Sequence, residues 1–288
     1  MKDLSLMTWK EIKEVNKKDS VVFVVMAPIE EHGWCLPLAT DIIEGENWSR
    51  GAMEMIEKNS RIKCYYLPTF PVAAASVNTF YGSVHFSMRT TFEVAYEILD
   101  SVRHMGFESI VIIASHADPD HQIAVIKAVR KINRKYGICA IAPMGSIFEG
   151  TGVEPTEDIK ELEKDYSNDF HAGWIETSSM LDIDDNNVRS GFNKLPDSNI
   201  TDKDMISKRK QLAAMGEYGH IGLPRIATKE IGHDLNRNCI ESISEAVIKF
   251  YNRAEYKKYD NYFLYKILPL HIGFLKIFGK VKRGKVGE

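Results

Sequence analysis

Short apolar runs alternate with longer amphipathic segments along this chain, and this alternation constrains the fold more than any other feature. Residues 20–27 (SVVFVVMA) form a nearly continuous apolar and β-branched run, which is typical of a strand buried on both faces. The other predicted strands are residues 61–68, 109–114 and 137–142, and the predicted helices are residues 40–58, 90–105 and 120–136. Strands that alternate with helices predict an α/β fold of three layers, in which helices cover both faces of a mostly parallel central sheet.

The sequence divides into one long domain and a short C-terminal extension. We predict that residues 1–255 form a single domain, within which the polar stretch 150–169 is an insertion or flap over the sheet edge. Residues 256–288 form an extension that is first apolar and then basic. This extension is predicted to pack on its own domain or on a second copy, and the alternative is peripheral contact with an anionic membrane through its basic end.

Composition and charge exclude several classes of protein. The 288 residues are 44% hydrophobic, which is enough for a large core and argues against a disordered chain. The formal net charge of −3 leaves no overall basic field for nucleic acid. The four cysteines form no CxxC pair, which favours reduced thiols. With no signal peptide and no run of about 18 uncharged apolar residues, the chain is predicted to be soluble and cytoplasmic.

Residues with metal-binding side chains follow two of the predicted strands. Glu30, His32 and Asp41 follow the strand at 20–27, and His116 and Asp118 follow the strand at 109–114. The E-x-H pair alone is a weak signal, but the carboxyl ends of parallel strands meet at one edge of a sheet. Imidazole and carboxylate donors that converge there suit Zn²⁺, Mn²⁺ or Fe²⁺ better than a thiolate site would. The sequence therefore predicts a metal site in one crevice.

Other histidines and a nearby tryptophan are given ordinary structural roles. His121 follows the second cluster and is expected on the outer face of the next helix. Trp174 could either line the pocket or pack beneath the helix that follows it. No motif includes the remaining histidines, which are His85, His104, His220, His233 and His271.

Five ordered motifs resemble the creatininase (creatinine amidohydrolase) family, over roughly residues 5–250. The second of them resembles the family signature E-Q-H-G-x-H-L-P-L-x-T-D, and the fourth resembles H-A-G-x-x-E-T-S. The motifs are residues 7–12 (MTWKEI), 30–41 (EEHGWCLPLATD), 80–83 (FYGS), 171–178 (HAGWIETS) and 222–232 (GLPRIATKEIG). The resemblance implies a creatininase-like α/β fold that binds two divalent metal ions, with zinc expected first and manganese or iron as alternatives.

The resemblance also implies roles for individual residues. Glu30 and His32 would bind two different ions, Asp41 would bridge them, and His116 would complete the shell of the ion that Glu30 binds. Such an arrangement divides the first cluster of donors between two metals.

The acidic ligand of the second ion differs between branches of the family, so two residues are candidates for it. One branch implies Asp118, and the other implies Glu176 in the H-A-G-x-x-E-T-S block. We assign Glu176 to the metal and give Asp118 a catalytic role, and we keep the reverse arrangement as the alternative. His171 matches the position of a catalytic histidine, which could act as the general acid.

Departures from the family pattern concentrate around the pocket. Residues 114–119 read ASHADP where many members have N-G-H-G-G-N, and residues 76–78 read SVN where the family has S-x-E-H. Glu31 replaces the usual glutamine, and Trp34 with Cys35 replaces the usual P-H pair. Because the metal ligands are kept while these neighbours differ, we expect a substrate other than creatinine.

The expected function is hydrolysis of a non-peptide C–N bond in a small cyclic amide or formamide, by a hydroxide that bridges the two ions. One alternative is a peptide-processing hydrolase of the same family, and the other is an inactive metal-binding scaffold. The resemblance further implies a homo-oligomer, commonly a hexamer. A small-molecule amide is the expected partner, and nucleic acid is not.

Overall fold

The computed structural model describes residues 2–75, 80–201, 204 and 207–271. The strands are β1 (Lys2–Asp3), β2 (Ser20–Met26), β3 (Lys63–Phe70), β4 (Ile110–Ala114) and β5 (Ala140–Ile141). The helices are α1 (Trp9–Glu14), α2 (Thr40–Asn59), α3 (Met88–His104), α4 (Pro119–Tyr136), α5 (Met144–Phe148), α6 (Glu157–Asp165), α7 (Trp174–Ile183), α8 (Lys208–Met215) and α9 (Lys229–Tyr251). Short 3-10 turns connect several of these elements.

The five strands form one parallel sheet in the order β1-β3-β2-β4-β5, which confirms the predicted fold class. At its centre β2 pairs with β3 on one side and with β4 on the other. The strand predicted at 61–68 lies two residues further along, at Lys63–Phe70. The strand predicted at 137–142 shortens to two residues at the sheet edge, where only Ala140 and Ile141 pair with β4.

Helices cover both faces of the sheet, because successive side chains of a strand point to opposite faces. One face packs against α3 and α4, and the other packs against α2 and α9. The β2 residues on the first face are Val22, Val24 and Met26, and those on the second face are Val21, Phe23 and Val25. Every β2 and β4 residue is buried, as the continuous apolar runs predict.

The connections after β2 and β4 leave the sheet toward opposite faces. After β2 the chain enters α2 on one face, and after β4 it enters α4 on the other. Since β2 and β4 are neighbours, a crevice opens between the two connections at the carboxyl ends of these strands. Both predicted clusters of metal-type residues follow these two strands.

The polar stretch predicted as an insertion contains α6, whose Ile159 is buried. Leu162 and Tyr166 pack beside the fully buried Trp174 of α7. Of the two roles considered for Trp174, the structure therefore shows packing.

The described part of the C-terminal extension packs first on α5 and α9, through residues 256–260, and then on α4. Tyr262 is buried in the core on that side, and the guanidinium of Arg130 lies 3.8 Å from the ring centroid of Tyr265. Residues 272–288, which carry the basic end, lie outside the described residues, as do residues 76–79. Contact of the extension with a membrane or a second copy stays a prediction, and so does the domain division at residue 255.

Two further observations bear on the sequence-based expectations. All four cysteines are buried free thiols. Within the described ranges, no helix has the length and apolar character needed to cross a membrane.

Candidate metal centre

The segment between β2 and α2 supplies three of the predicted ligands. Glu30 and His32 are fully buried in this loop, and Asp41 lies in the first turn of α2, where a carboxylate is favoured by the helix dipole. His32 Nδ1 lies 3.0 Å from the Glu30 carbonyl oxygen. Because a carbonyl can only accept, Nδ1 carries the proton and Nε2 is left free to bind a metal. Gly33 has a φ of +65°, which favours glycine at this turn.

The segment between β4 and α4 brings His116 to the same place. Ser115 Oγ donates a hydrogen bond of 2.7 Å to the Asp41 carbonyl oxygen, which ties this segment to the start of α2. A Cβ atom at Gly45 would lie 2.3 Å from Ser115 Oγ, so the close approach of α2 depends on that glycine. The Gln122 amide donates to the His116 carbonyl oxygen at 2.6 Å and holds the loop from the other side.

A third segment, immediately before and within the first turn of α7, contributes His171 and Glu176. His171 forms an antiparallel bridge with Ile221, which fixes its backbone. The Glu176 carboxylate accepts a hydrogen bond of 2.5 Å from the Ala172 backbone N–H. These two residues lie more than fifty positions after His116 in the sequence, and the fold brings them to the same crevice.

The side chains from the three segments form overlapping groups of three that could each hold a metal ion, and two of these groups share Asp41. We call Glu30, Asp41 and His116 the inner triad, and His32, Asp41 and Glu176 the outer triad. In each triad one donor atom per residue lies within 4.8 Å of the others. Asp41 belongs to both, as a bridging carboxylate must. This is the grouping that the resemblance implies with Glu176, rather than Asp118, as the second acidic residue.

The distances between donor atoms suit a cation between them. His116 Nδ1 lies 3.4 Å from both Glu30 Oε2 and Asp41 Oδ2. His32 Nε2 lies 3.6 Å from Asp41 Oδ2 and 3.8 Å from Glu176 Oε1. Donors held about 2.1 Å from an ion in tetrahedral geometry stand about 3.4 Å apart. The separations are therefore those of ligands around an ion rather than of direct hydrogen bonds.

Buried donor atoms of the triads have no hydrogen-bond partner in the structure. Leaving such atoms unpaired away from water is costly, because each loses its hydration without replacement. They are both carboxylate oxygens of Glu30, Nε2 of His32 and Oδ2 of Asp41. Two divalent cations would satisfy this nitrogen and oxygen set, so the residues present fit the metals that the resemblance implies.

Burial and mutual charge shift the pKa values of the inner triad. Burial raises the pKa of Glu30 to about 7, because it disfavours the charged carboxylate. Burial acts against a protonated His116, but the Glu30 and Asp41 carboxylates outweigh it and raise the pKa of His116 to about 10. Burial also acts against ionised Asp41, yet His116 and His32 outweigh it and hold the Asp41 pKa far below its ordinary value. Without metal, protons on these groups balance the carboxylates.

His171 lies beside the triads and is held by Glu31. Its Nε2 lies 2.9 Å from the Glu31 carbonyl oxygen and 3.3 Å from Glu31 Oε1, so Nε2 carries a proton and Nδ1 is the free nitrogen. The His171 and His32 rings are 4.7 Å apart between centroids. A third group could also hold a metal ion, because its donor atoms likewise lie within 4.8 Å of one another. We call this group, Glu30, His32 and His171, the alternative triad.

Asp118 occupies a different position from the other predicted site residues. It is the N-cap of α4, where its carboxylate accepts a hydrogen bond of 2.7 Å from the Asp120 backbone N–H. It belongs to none of the three metal groups found among the described residues, although its charge contributes to the raised pKa of His116. Asp118 is therefore next to the site, and its predicted catalytic role stays a prediction.

One expectation about the site was wrong, and one residue was missed. His121 is fully buried rather than on an outer face, and its Nε2 donates to the Met26 carbonyl oxygen at 3.1 Å. Glu44, one turn after Asp41 on α2, is also buried, and burial followed by the charge of Glu176 raises its pKa well above the ordinary value. The sequence signal that could have indicated Glu44 is its position three residues after Asp41, since residues at that spacing share one face of a helix.

Comparisons with known proteins identify the family and the fold. A family model described as creatinine amidohydrolase matches residues 5–247. No curated protein sequence matches the chain.

Solved structures of the family share the fold at low sequence identity. A manganese form of creatininase superposes with a TM-score of 0.65 at 16% identity, covering 86% of this chain and 98% of that one. A zinc-zinc form of a creatininase variant gives a TM-score of 0.66 at 15% identity, with coverage of 86% and 98%. A Bacteroides fragilis protein, named as a candidate creatinine amidohydrolase, gives a TM-score of 0.65 at 20% identity, with coverage of 88% and 98%.

Proposed function

The chain belongs to the creatinine amidohydrolase family, and on that premise we propose that it hydrolyses a C–N bond of a small amide with two divalent metal ions. One observation carries the proposal. The inner and outer triads share Asp41, and the buried oxygens of Glu30, Nε2 of His32 and Oδ2 of Asp41 otherwise have no hydrogen-bond partner. In this proposal Glu30, Asp41 and His116 hold one ion, and His32, Asp41 and Glu176 hold the other.

The chemistry of the proposed site follows from its charges. Two bound dications would supply an activated water and polarise the scissile carbonyl. The three carboxylates of the triads balance most of that positive charge. The buried position of Glu30, His32 and Asp41 excludes bulk water and strengthens every charge interaction inside the crevice. Zinc is the metal we expect first, and manganese and iron suit the same donors.

We assign the proton transfer to His171. The Glu31 carbonyl oxygen accepts a hydrogen bond from the Nε2–H group of His171, and Glu31 Oε1 lies 3.3 Å from the same nitrogen, which leaves Nδ1 to exchange a proton with the reacting atoms. The nitrogen that leaves an amide must be protonated to depart, and an imidazole can take a proton from water and deliver it there. Glu31 thus orients the ring through its backbone carbonyl and places a carboxylate close to it, as the hydrogen-bonded partner of a catalytic histidine does elsewhere.

We propose a cyclic amide or a formamide as the substrate class, with creatinine itself disfavoured. The support for this is that the ligands are kept while Glu31 and the segment 114–119 differ from the family pattern. Pro119 removes a backbone donor and the family glycines are absent, which changes what the pocket can contact. A short peptide is the alternative substrate class, and an inactive scaffold is the alternative without chemistry.

The proposal is tested by removing and restoring metal. We expect the chelated protein to lose turnover on a panel of cyclic amides, formamides and short peptides, and to regain it with two equivalents of Zn²⁺, Mn²⁺ or Fe²⁺. Turnover on peptides alone would favour the peptide-processing alternative. Protein that binds two ions and turns over no compound of the panel would favour the scaffold.

A further inference from the structure

The Asp169 carboxylate collects three backbone N–H groups at the edge of the metal centre. Its Oδ1 accepts hydrogen bonds from Trp174 at 2.9 Å and Leu223 at 3.1 Å, and its Oδ2 accepts one from Ile175 at 2.9 Å. Hydrogen bonds to an ionised acceptor are shorter and stronger than those between neutral groups. Asp169 lies two residues before His171 and outside all three metal groups.

Two of these donors are the first N–H groups of α7, which have no partner inside the helix. The residue at the N-cap position is Gly173, which offers no side-chain hydrogen bond. Asp169 therefore caps α7 from outside the usual position, and its negative charge is favoured at that end of the helix. The third donor, Leu223, belongs to the segment that pairs with His171 through Ile221.

The turn that Asp169 holds is a strained one. Ala172, between His171 and Gly173, has a φ of +49°, in the left-handed region that is unfavourable for a residue with a Cβ atom. Its N–H donates to the Glu176 carboxylate. Strained conformations of this kind persist only where the surrounding contacts fix them, and they concentrate at functional sites.

The carboxylate also accounts for a glycine in the H-A-G motif. Gly173 has a φ of −92°, which any residue can adopt, yet a Cβ atom there would lie 1.8 Å from Asp169 Oδ1. The backbone conformation does not require glycine at this position. The close approach of Asp169 does.

We propose that Asp169 is a positioning residue that fixes Glu176 in the outer triad and His171 beside it, an inference that rests on the proposed function. Through Trp174 and Ile175 it sets the start of α7, and therefore the place from which Glu176 reaches the metal. Through Leu223 it sets the segment that pairs with His171. None of the three residues of the inner triad belongs to this turn.

The test is a metal titration of the full chain with Zn²⁺, followed by calorimetry or by competition with a chromophoric chelator. We expect wild-type protein to bind two ions. Asp169→Asn presents an NH₂ group to one of the three N–H donors. We expect it to lower the affinity for one ion by about 10- to 100-fold, the usual effect of changing a group that orients a metal ligand, and to leave the affinity for the other ion unchanged. Asp197→Asn is the matched control, because it breaks the exposed pair with Arg225 and touches neither triad.

A second route keeps the test decisive if Asp169→Asn folds poorly. Gly173→Ala should displace the carboxylate and weaken the same ion, and it should have little further effect in an Asp169→Ala background. Such non-additivity is the sign of a direct contact. Wild-type protein that binds fewer than two ions would overturn the proposed function. If wild type binds two ions and both single variants do so with unchanged affinity, Asp169 is merely structural and this inference alone is wrong.

Discussion

The inner and outer triads share Asp41 but differ in the elements that carry them. Glu30 and His116 follow two neighbouring strands whose register is fixed along their whole paired length. Glu176 instead lies on α7, beyond the strained turn at Ala172, and its side chain is 25% exposed against 9% for His116. The inner triad is thus positioned by segments that follow the sheet, and the outer triad depends for its third residue, Glu176, on the local contacts of one turn. We expect the inner ion to bind more tightly and to exchange more slowly.

The largest effect is expected from the residue that the two triads share. Asp41→Ala should empty both ion positions, because it removes the carboxylate that balances two cations at once. Metal content by mass spectrometry should fall from two equivalents to none, and turnover should be lost with it. Glu54→Ala on the exposed side of the same helix is the control. An Asp41→Ala protein that holds two ions would mean that the triads do not share this ligand.

Removal of His171 should separate proton transfer from metal binding. His171→Ala should keep both ions and lose about 10²- to 10⁴-fold in turnover, the usual contribution of a positioned acid or base. His104→Ala, at the exposed end of α3, should change neither quantity. If His171→Ala loses an ion, the alternative triad of Glu30, His32 and His171 is the real one, and the division into inner and outer triads fails.

The two acidic candidates for the second ion should give different results. Glu176→Gln should weaken only the outer ion, because a neutral amide leaves the dication less well balanced. Asp118→Asn should keep both ions and cost about 1 kcal/mol of stability or less, since asparagine also serves as an N-cap. Both variants are compared by metal titration and thermal denaturation. Loss of metal from Asp118→Asn, with retention by Glu176→Gln, would instead support the arrangement with Asp118 as ligand.

A smaller effect concerns pH, and it reports on the inner triad. Below its unfolded pKa of 6.5, protonated His116 stabilises the metal-free fold, and this contribution is lost as the pH rises toward about 10. The pKa of Glu30 is raised from its ordinary value of 4.5 to about 7, so protonated Glu30 also stabilises the metal-free fold, and this contribution is lost as the pH rises from 4.5 to about 7. We expect the metal-free protein to lose at least about 1 kcal/mol between about pH 6 and pH 9.

The metal-loaded protein should show the opposite trend over the same range, because the ions bind deprotonated ligands. Thermal denaturation with and without chelator measures both slopes. Equal slopes in the two forms would indicate that protons and metal do not compete at Glu30 and His116.

The sequence was sufficient to predict the fold class and the meeting of Glu30, Asp41 and His116 in one crevice, but not the edge strand β1 or the short length of β5. The apolar run at 20–27 is typical of a doubly buried strand, and the donors after it can meet those after β4 because the carboxyl ends of parallel strands lie at the same sheet edge. It could not choose between Asp118 and Glu176, because that choice depends on where α7 lies across the fold. The local sequence pattern carries no information on how far α7 lies from the other metal-binding residues.

The supporting contacts of the site were also invisible in the sequence. Ser115, Gly45 and Gln122 act through the approach of two separate segments, and no local spacing indicates it. The expectation for His121 failed because residues 121–126 of α4 are all buried, so the helix has no outer face there. The sheet covers one side of this stretch, and the C-terminal extension packs against α4 as well.

Anomalous diffraction from crystals of zinc-loaded protein tests the two-triad arrangement most directly. We predict two peaks about 3.5–4 Å apart, the usual spacing of a two-metal site, with Asp41 as a ligand of both. One ion should have Glu30 and His116 as its other ligands, and the second should have His32 and Glu176. A single peak, or a peak bound by Glu30, His32 and His171, would contradict the arrangement.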